Sequence, residues 1–337
     1  MTQRHWIKGA LIGLPAGLVV LGVIWMWYLI ENPEDPVVRE PARRVTLPPV
    51  EAADVERYVR ALSEDIGPRH ADLPGSVRIA VNYLESTLGP RNIGCVVQRQ
   101  PLGAEGSETG VWENVVVEIA GRGRAEEIVV VGAHYDTAPG SPGANCDGTG
   151  VAAVLCLARV WVGALPQRTL RLVLFGNGAS GDPQRSGAAV YAANCRQKEE
   201  RIACVLLLSG LGAVSEGGPA TWPENLKPYL PETAEALVFG GASGAGDLVN
   251  LAADAFDEAG EIAAQRLVAD EAPDLLGSAE LAAWGSAEYP ALVVTDMAQF
   301  RAGFCGTAQD LPHTVDFSRV TEVVRALDAV VRRLVDP

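Results

Sequence analysis

Basic residues are in short supply in this chain: 27 Lys and Arg stand against 42 Asp and Glu over 337 residues, a formal net charge of −15. Phosphate binding needs a basic surface, so nucleic acid is excluded as a partner. Six cysteines are too few to build a disulfide scaffold in a chain of this length. Cys156 and Cys204 lie in apolar runs and are expected as small core residues. Cys95, Cys195 and Cys305 could pair in an oxidising compartment, but sequence assigns no connectivity. Internal repeats are missing, and so are the spacings of a phosphate loop or a nucleophile elbow.

What the chain does contain begins with an uncharged apolar run over residues 9–30, preceded by Arg4, His5 and Lys8. Its length suits a membrane-spanning helix, and Trp25, Trp27 and Tyr28 cluster at its far end as interfacial aromatics. The basic flank places residues 1–8 in the cytoplasm and the bulk of the chain outside, with the lipid bilayer as one partner. A cleaved signal peptide is the competing reading; the run is long for one, and no small-x-small site follows it cleanly. Residues 31–52 are proline-rich and form an extended tether, leaving residues 53–337 as the folded domain. There, apolar strand-like runs alternate with helical periodicity, which predicts a three-layer α/β domain.

The most informative stretch is IVVVGAHYDTAPGSPGANCDGTG, residues 128–150. Four consecutive β-branched apolar residues predict a buried central strand that delivers His134 and Asp136 to its carboxyl end. A Pro/Gly loop follows, then Asn145-Cys146-Asp147 at the start of an Ala/Val/Leu helix. An imidazole oriented by a nearby carboxylate, with a polar turn beside it, is one way to build a zinc shelf.

GAHYDTAPGSPGANCDGTGVAAVLCLAR resembles the signature of the co-catalytic zinc exopeptidases, metallopeptidase family 28. That family's usual text is Gly-x-His-x-Asp-Ser, then Pro-Gly-Ala-Asn-Asp-(Asp/Asn)-x-Ser-Gly. The likeness continues through IGPR at residues 66–69 and the strand WENVVVEIAG, expected next to the central one. It implies a zinc-exopeptidase (phosphorylase/hydrolase-like) fold, a three-layer αβα domain with a mixed central sheet, and a pair of zinc ions sharing one water. On this resemblance His134 and Asp136 remain, with Asp147 beside them, but the bridging carboxylate falls on Cys146. The family's Glu-Glu pair, general base and ligand, falls on Gly178 and Ala179; a third acid falls on Ser209, and the last histidine on Gly306. The substrate-side Ser-Asp-His of many relatives is altered to Ser278-Ala279-Glu280.

Gly and Ala side chains donate no electron pair, so the expectation is a family-28-like protein without zinc or another cofactor and without catalysis, which binds a peptide or protein partner. Two alternatives stand beside it. One is an active membrane-bound aminopeptidase with a remodelled zinc site of His134, Cys146 and His313. The other is a hydrolase with Cys146 as nucleophile, His134 as base and Asp136 behind it.

Overall fold

The structure, a computed structural model, describes residues 49–103, 112–179, 183–214, 222–230 and 237–337, and before them only Leu21 and Met26. The expected cytoplasmic stub, spanning run and most of the tether lie outside the described residues, none of whose helices is long and apolar enough to cross a membrane. Residues 47–337 form one unit.

Its first helix, α1 (Ala52–Arg60), continues as a wider turn through Ile66 and buries Val55, Tyr58 and Val59. Helix α2 (Pro74–Leu88) follows, then strands β1 (Val97–Pro101), β2 (Glu113–Ile119) and β3 (Arg124–His134). The chain goes on through α3 (Gly148–Trp161), β4 (Arg168–Phe175), α4 (Gly187–Gln197), β5 (Arg201–Ser209), β6 (Leu237–Gly241), α5 (Gly246–Asp257) and β7 (Ala264–Val268). It ends with α6 (Ala279–Ser286), β8 (Ala291–Thr295) and α7 (Phe317–Val335).

The strands form one mixed eight-stranded sheet in the order β1-β2-β4-β3-β5-β8-β6-β7. Strand β3 is flanked by parallel β4 and β5, and β8 runs parallel to β5, so these four carboxyl ends share one edge. The side-chain alternation of a strand divides the core in two. Val129 and Val131 face the cluster that takes in α1, α2, α3, α5 and α7, while Ile128 and Val130 face the cluster under α4 and α6. β5 does the same, with Leu206 and Leu208 on one face and Val205 and Leu207 on the other. Strands buried on both faces are why their sequences are continuous apolar runs rather than alternating ones.

One expectation is corrected, and one strand is new. The β2 stretch is not beside the central strand: β4 lies between them, because both ladders of β3 are taken by parallel neighbours and β2 pairs antiparallel with β4. Strand β7, AQRLV, was not expected; its polar Gln265 and Arg266 break the apolar pattern, which an edge strand tolerates.

Candidate functional site

A cleft of about 210 Å³ opens at the shared edge, floored by the ends of β3, β4, β5 and β8. The loop after β3 is held there by a buried cation. The Arg69 side chain is fully buried, and it donates from Nε to Tyr135 O at 2.7 Å and from Nη1 to Leu62 O, Gly67 O and Pro142 O at 2.7, 2.7 and 2.9 Å. Burial lowers its pKa to about 10, with Asp136 and Asp310 opposing the shift, so it stays charged at neutral pH. The turn beyond is gripped by Asp310, whose carboxylate accepts the amides of Asn145 at 2.7 Å and Cys146 at 3.1 Å. Asn145 in turn donates to Asp296 at 3.1 Å. Burial raises the Asp310 pKa to about 6.

These anchors set the side chains of the cleft. His134 Nδ1 lies 3.1 Å from the Asp136 carbonyl and 3.3 Å from its carboxylate, and Nε2 lies 2.7 Å from Asp147 Oδ2. Burial favours the neutral ring, but the Asp147 and Asp136 charges outweigh it and raise the His134 pKa well above the ordinary imidazole range. Asp136 also accepts the backbone amides of Gly178 at 2.7 Å and Ala179 at 2.9 Å, and Asp147 accepts the Ser209 hydroxyl at 3.1 Å. His134 packs closely against the loop after β4: a Cβ added at Gly178 would stand 2.5 Å from His134 Cβ and 2.7 Å from Cγ. A glutamate at that position cannot enter without displacing the ring.

The structure brings His134, Cys146, Asp147, Gly178, Ala179, Ser209 and Gly306 into the cleft wall, with Asp136 buried behind. His313 is not among them; it is exposed on the short turn Pro312–Thr314. Cys146 is joined to Cys305 by a disulfide, their Cα atoms 5.9 Å apart, while Cys95, Cys156, Cys195 and Cys204 are free and buried. Both alternatives that used Cys146 as a thiolate are corrected by this bond, since a disulfide sulfur is neither the thiolate ligand nor the nucleophile that each requires. Of the three cysteines left open for pairing, Cys305 is bonded to Cys146, and Cys95 and Cys195 are free.

The donor set does not fit a pair of zinc ions. Positions 178, 179 and 306 offer no side-chain donor, the Cys146 sulfur is bonded, and the Asp136 oxygens are committed to amides. Among the described residues, one group places three ligand-type atoms within 4.8 Å of one another, Cys146, Cys305 and Asp310, and its two sulfurs are bonded to each other.

Glu280, which the sequence marks only as the last position of the altered Ser-Asp-His, is a lining residue of the cleft. It sits in the first turn of α6, one place after the pair Ser278-Ala279, with Ser278 Oγ accepting the Leu281 amide at 3.1 Å. The available signal was a single acid among the apolar residues of AELAAW. The side chain is 5% exposed, and its Oε1 has no hydrogen-bond partner. Burial pushes its pKa up to about 7, the imidazole of His134 opposing the shift. A carboxyl raised from an ordinary 4.5 makes the fold lose stability as pH rises from 4.5 through about 7, because the unfolded chain sheds the proton first. Glu280→Gln removes that loss. Urea unfolding should show the variant more stable than wild type by about 1–2 kcal/mol at pH 8, part of a charge-burial cost on the order of 3 kcal/mol, and no gain at pH 4.5. An equal gain at both pH values contradicts the assignment.

Comparison with known proteins agrees with the geometry of the scaffold. Residues 114–237 match the model of Peptidase family M28. The uncharacterized protein YfbL of Escherichia coli (strain K12) is 28% identical over 154 residues, 42% of this chain and 44% of that protein. A vacuolar membrane protease of Eremothecium gossypii is 35% identical over 107 residues, 32% of this chain and 10% of the relative. The chain thus spans less than half the length of either curated relative. Among solved structures, BSAP, a zinc aminopeptidase from Bacillus subtilis, superposes with a TM-score of 0.65 at 14% identity, covering 86% of this chain and 96% of that one. Likeness at that identity concerns the fold. The strand–loop–helix unit carrying His134, Asp136 and Asp147 lies within the segment that matches Peptidase family M28, so over residues 114–237 and in its fold this chain resembles metallopeptidase family 28.

Proposed function

We propose that the chain is a membrane-anchored, extracytoplasmic protein that uses a family-28 scaffold for binding rather than peptide hydrolysis, and holds no zinc. One observation carries this: the groups that remain are satisfied by one another. His134 lies between Asp136 and Asp147, and Asp136 is capped by the amides of the two residues that stand where the family's glutamates would be. No carboxylate at 178 or 179 is left to take a proton from water and pass it to a leaving amine.

The location has its own support. The apolar run at 9–30 follows a basic flank, and the Cys146–Cys305 disulfide suits an oxidising compartment. One relative is itself named a membrane protease.

Full-length chain purified in detergent, incubated with zinc chloride and dialysed, should retain far less than one zinc per chain. It should show no chelator-sensitive turnover on a panel of aminoacyl and peptide substrates. Two zinc ions per chain together with such turnover would overturn the reading.

A further inference from the structure

The disulfide in the cleft wall has a carboxylate beside it. The Cys146 and Cys305 sulfurs and a carboxylate oxygen of Asp310 all stand within 4.8 Å of one another. Both cysteines line the cleft and are part-exposed, while Asp310 is fully buried. Of the three, only Cys146 stands where the family resemblance puts a metal ligand, so the group is not the family's zinc pair.

What holds the three together does not depend on the sulfur–sulfur bond. Asp310 accepts the amides of Asn145 and Cys146 on its carboxylate and the Ala144 amide on its carbonyl, and its own amide donates to Thr307 O. The Cys305 amide donates to Ala302 O. Each carboxylate oxygen of Asp310 takes one of these amides and keeps a lone pair for a further partner. Opening the bond therefore leaves two thiols and a carboxylate held around one point. Two thiolates on a tetrahedral zinc ion stand about 3.8 Å apart, with a carboxylate oxygen about 3.5 Å from each. Rotation about χ1 brings side chains to that spacing from Cα atoms 5.9 Å apart.

We propose that reduction of the Cys146–Cys305 bond creates a site for one thiophilic divalent cation, zinc or cadmium, held by Cys146, Cys305 and Asp310 with its fourth position open to the cleft. A dithiol supplies two electrons and two protons: it is oxidised to a disulfide, the Cys146–Cys305 bond breaks, and each cysteine gains a proton. The cation then displaces both protons as the two metal–sulfur bonds form. Thiolates select zinc or cadmium over magnesium and calcium, which take oxygen ligands. The zinc-free reading above describes the chain with the bond intact, and this inference goes beyond it.

The test compares the full-length chain in detergent, oxidised and reduced. A trialkylphosphine serves as reductant: it takes the oxygen of one water molecule, delivers the same electrons and protons, and does not chelate as a dithiol would. Each form is incubated with zinc chloride or cobalt chloride without oxygen and dialysed. The reduced chain should keep about one zinc, the number a single set of three ligands holds, and the oxidised chain far less. With cobalt, the reduced chain alone should show thiolate-to-metal charge-transfer absorption. Cys146→Ser with Cys305→Ser should keep no zinc in either state. Asp310→Asn, checked for folding by thermal unfolding, should keep the charge-transfer band and bind zinc at least about tenfold more weakly, the least loss typical of groups one step further from a metal. A folded reduced chain without zinc, or a chain that unfolds on reduction, overturns the proposal and leaves the zinc-free reading standing. Zinc kept by the double serine variant, or undiminished affinity in Asp310→Asn, overturns it by placing the metal elsewhere. Stoichiometric zinc in the oxidised chain overturns both.

Discussion

Arg69→Met should lower the stability of the folded domain by about 3–5 kcal/mol, the loss typical of breaking a buried charged network. The guanidinium lies in the interior and donates to five carbonyls, those of Leu62, Gly67, Tyr135, Pro142 and, at 3.5 Å, Gly143. Methionine fills much of the space and returns none of these donors. Each buried carbonyl left without a partner costs about 1–3 kcal/mol, less whatever water can reach it. Removing the cation also leaves Asp136 and Asp310 without the charge that faces them. The effect should reach the cleft, because Pro142 and Gly143 lead directly into the Asn145-Cys146-Asp147 turn. Urea unfolding gives the stability, and amide exchange across residues 135–147 should accelerate with it. A loss under about 1 kcal/mol, the scale of a surface substitution, would mean that the guanidinium is not the keystone of this loop.

The sheet was legible wherever burial on both faces produced a continuous apolar run. Strands β3, β4, β5 and β8 all announce themselves this way, and helix α7 does so through its one-sided repeat. What local pattern cannot carry is the choice of ladder partner. Nothing in ENVVVEI states that β4, some fifty residues further on, will stand between it and β3. Edge strands are similarly faint, since most of β7 is only part-buried and its polar residues cost little there.

The site divides along the same line. His134 and Asp136 are two residues apart at a strand end, so their meeting is a local fact. The orphaned carboxyl of Glu280 arrives from an element more than a hundred residues away, and its burial depends on how α6 lies over the strand ends. The roles of Gly178 and Ala179 were visible only as absences. That their amides would take over Asp136, and that Gly178 would admit the imidazole, required coordinates.

Replacing both members of the disulfide, Cys146→Ser with Cys305→Ser, separates what the bond does from what its surroundings do. The bond closes a loop across 159 positions. Cross-linking so long a loop restricts the unfolded chain, and the chain-entropy account gives about 5 kcal/mol, with about 2–4 measured for typical bonds. Loss of about 3 kcal/mol is expected in the double variant, and the same loss when wild type is reduced. Reducing agent should leave the variant unchanged. The folded cleft should hardly alter, because Asp310 independently ties its segment to the amides of Asn145 and Cys146, and its carbonyl accepts from Ala144. Amide exchange at those positions, corrected for global stability, should therefore match wild type. If instead the segment at 302–310 opens locally while global stability holds, the bond acts as a native-state latch, and the Asp310 anchor is weaker than its geometry indicates.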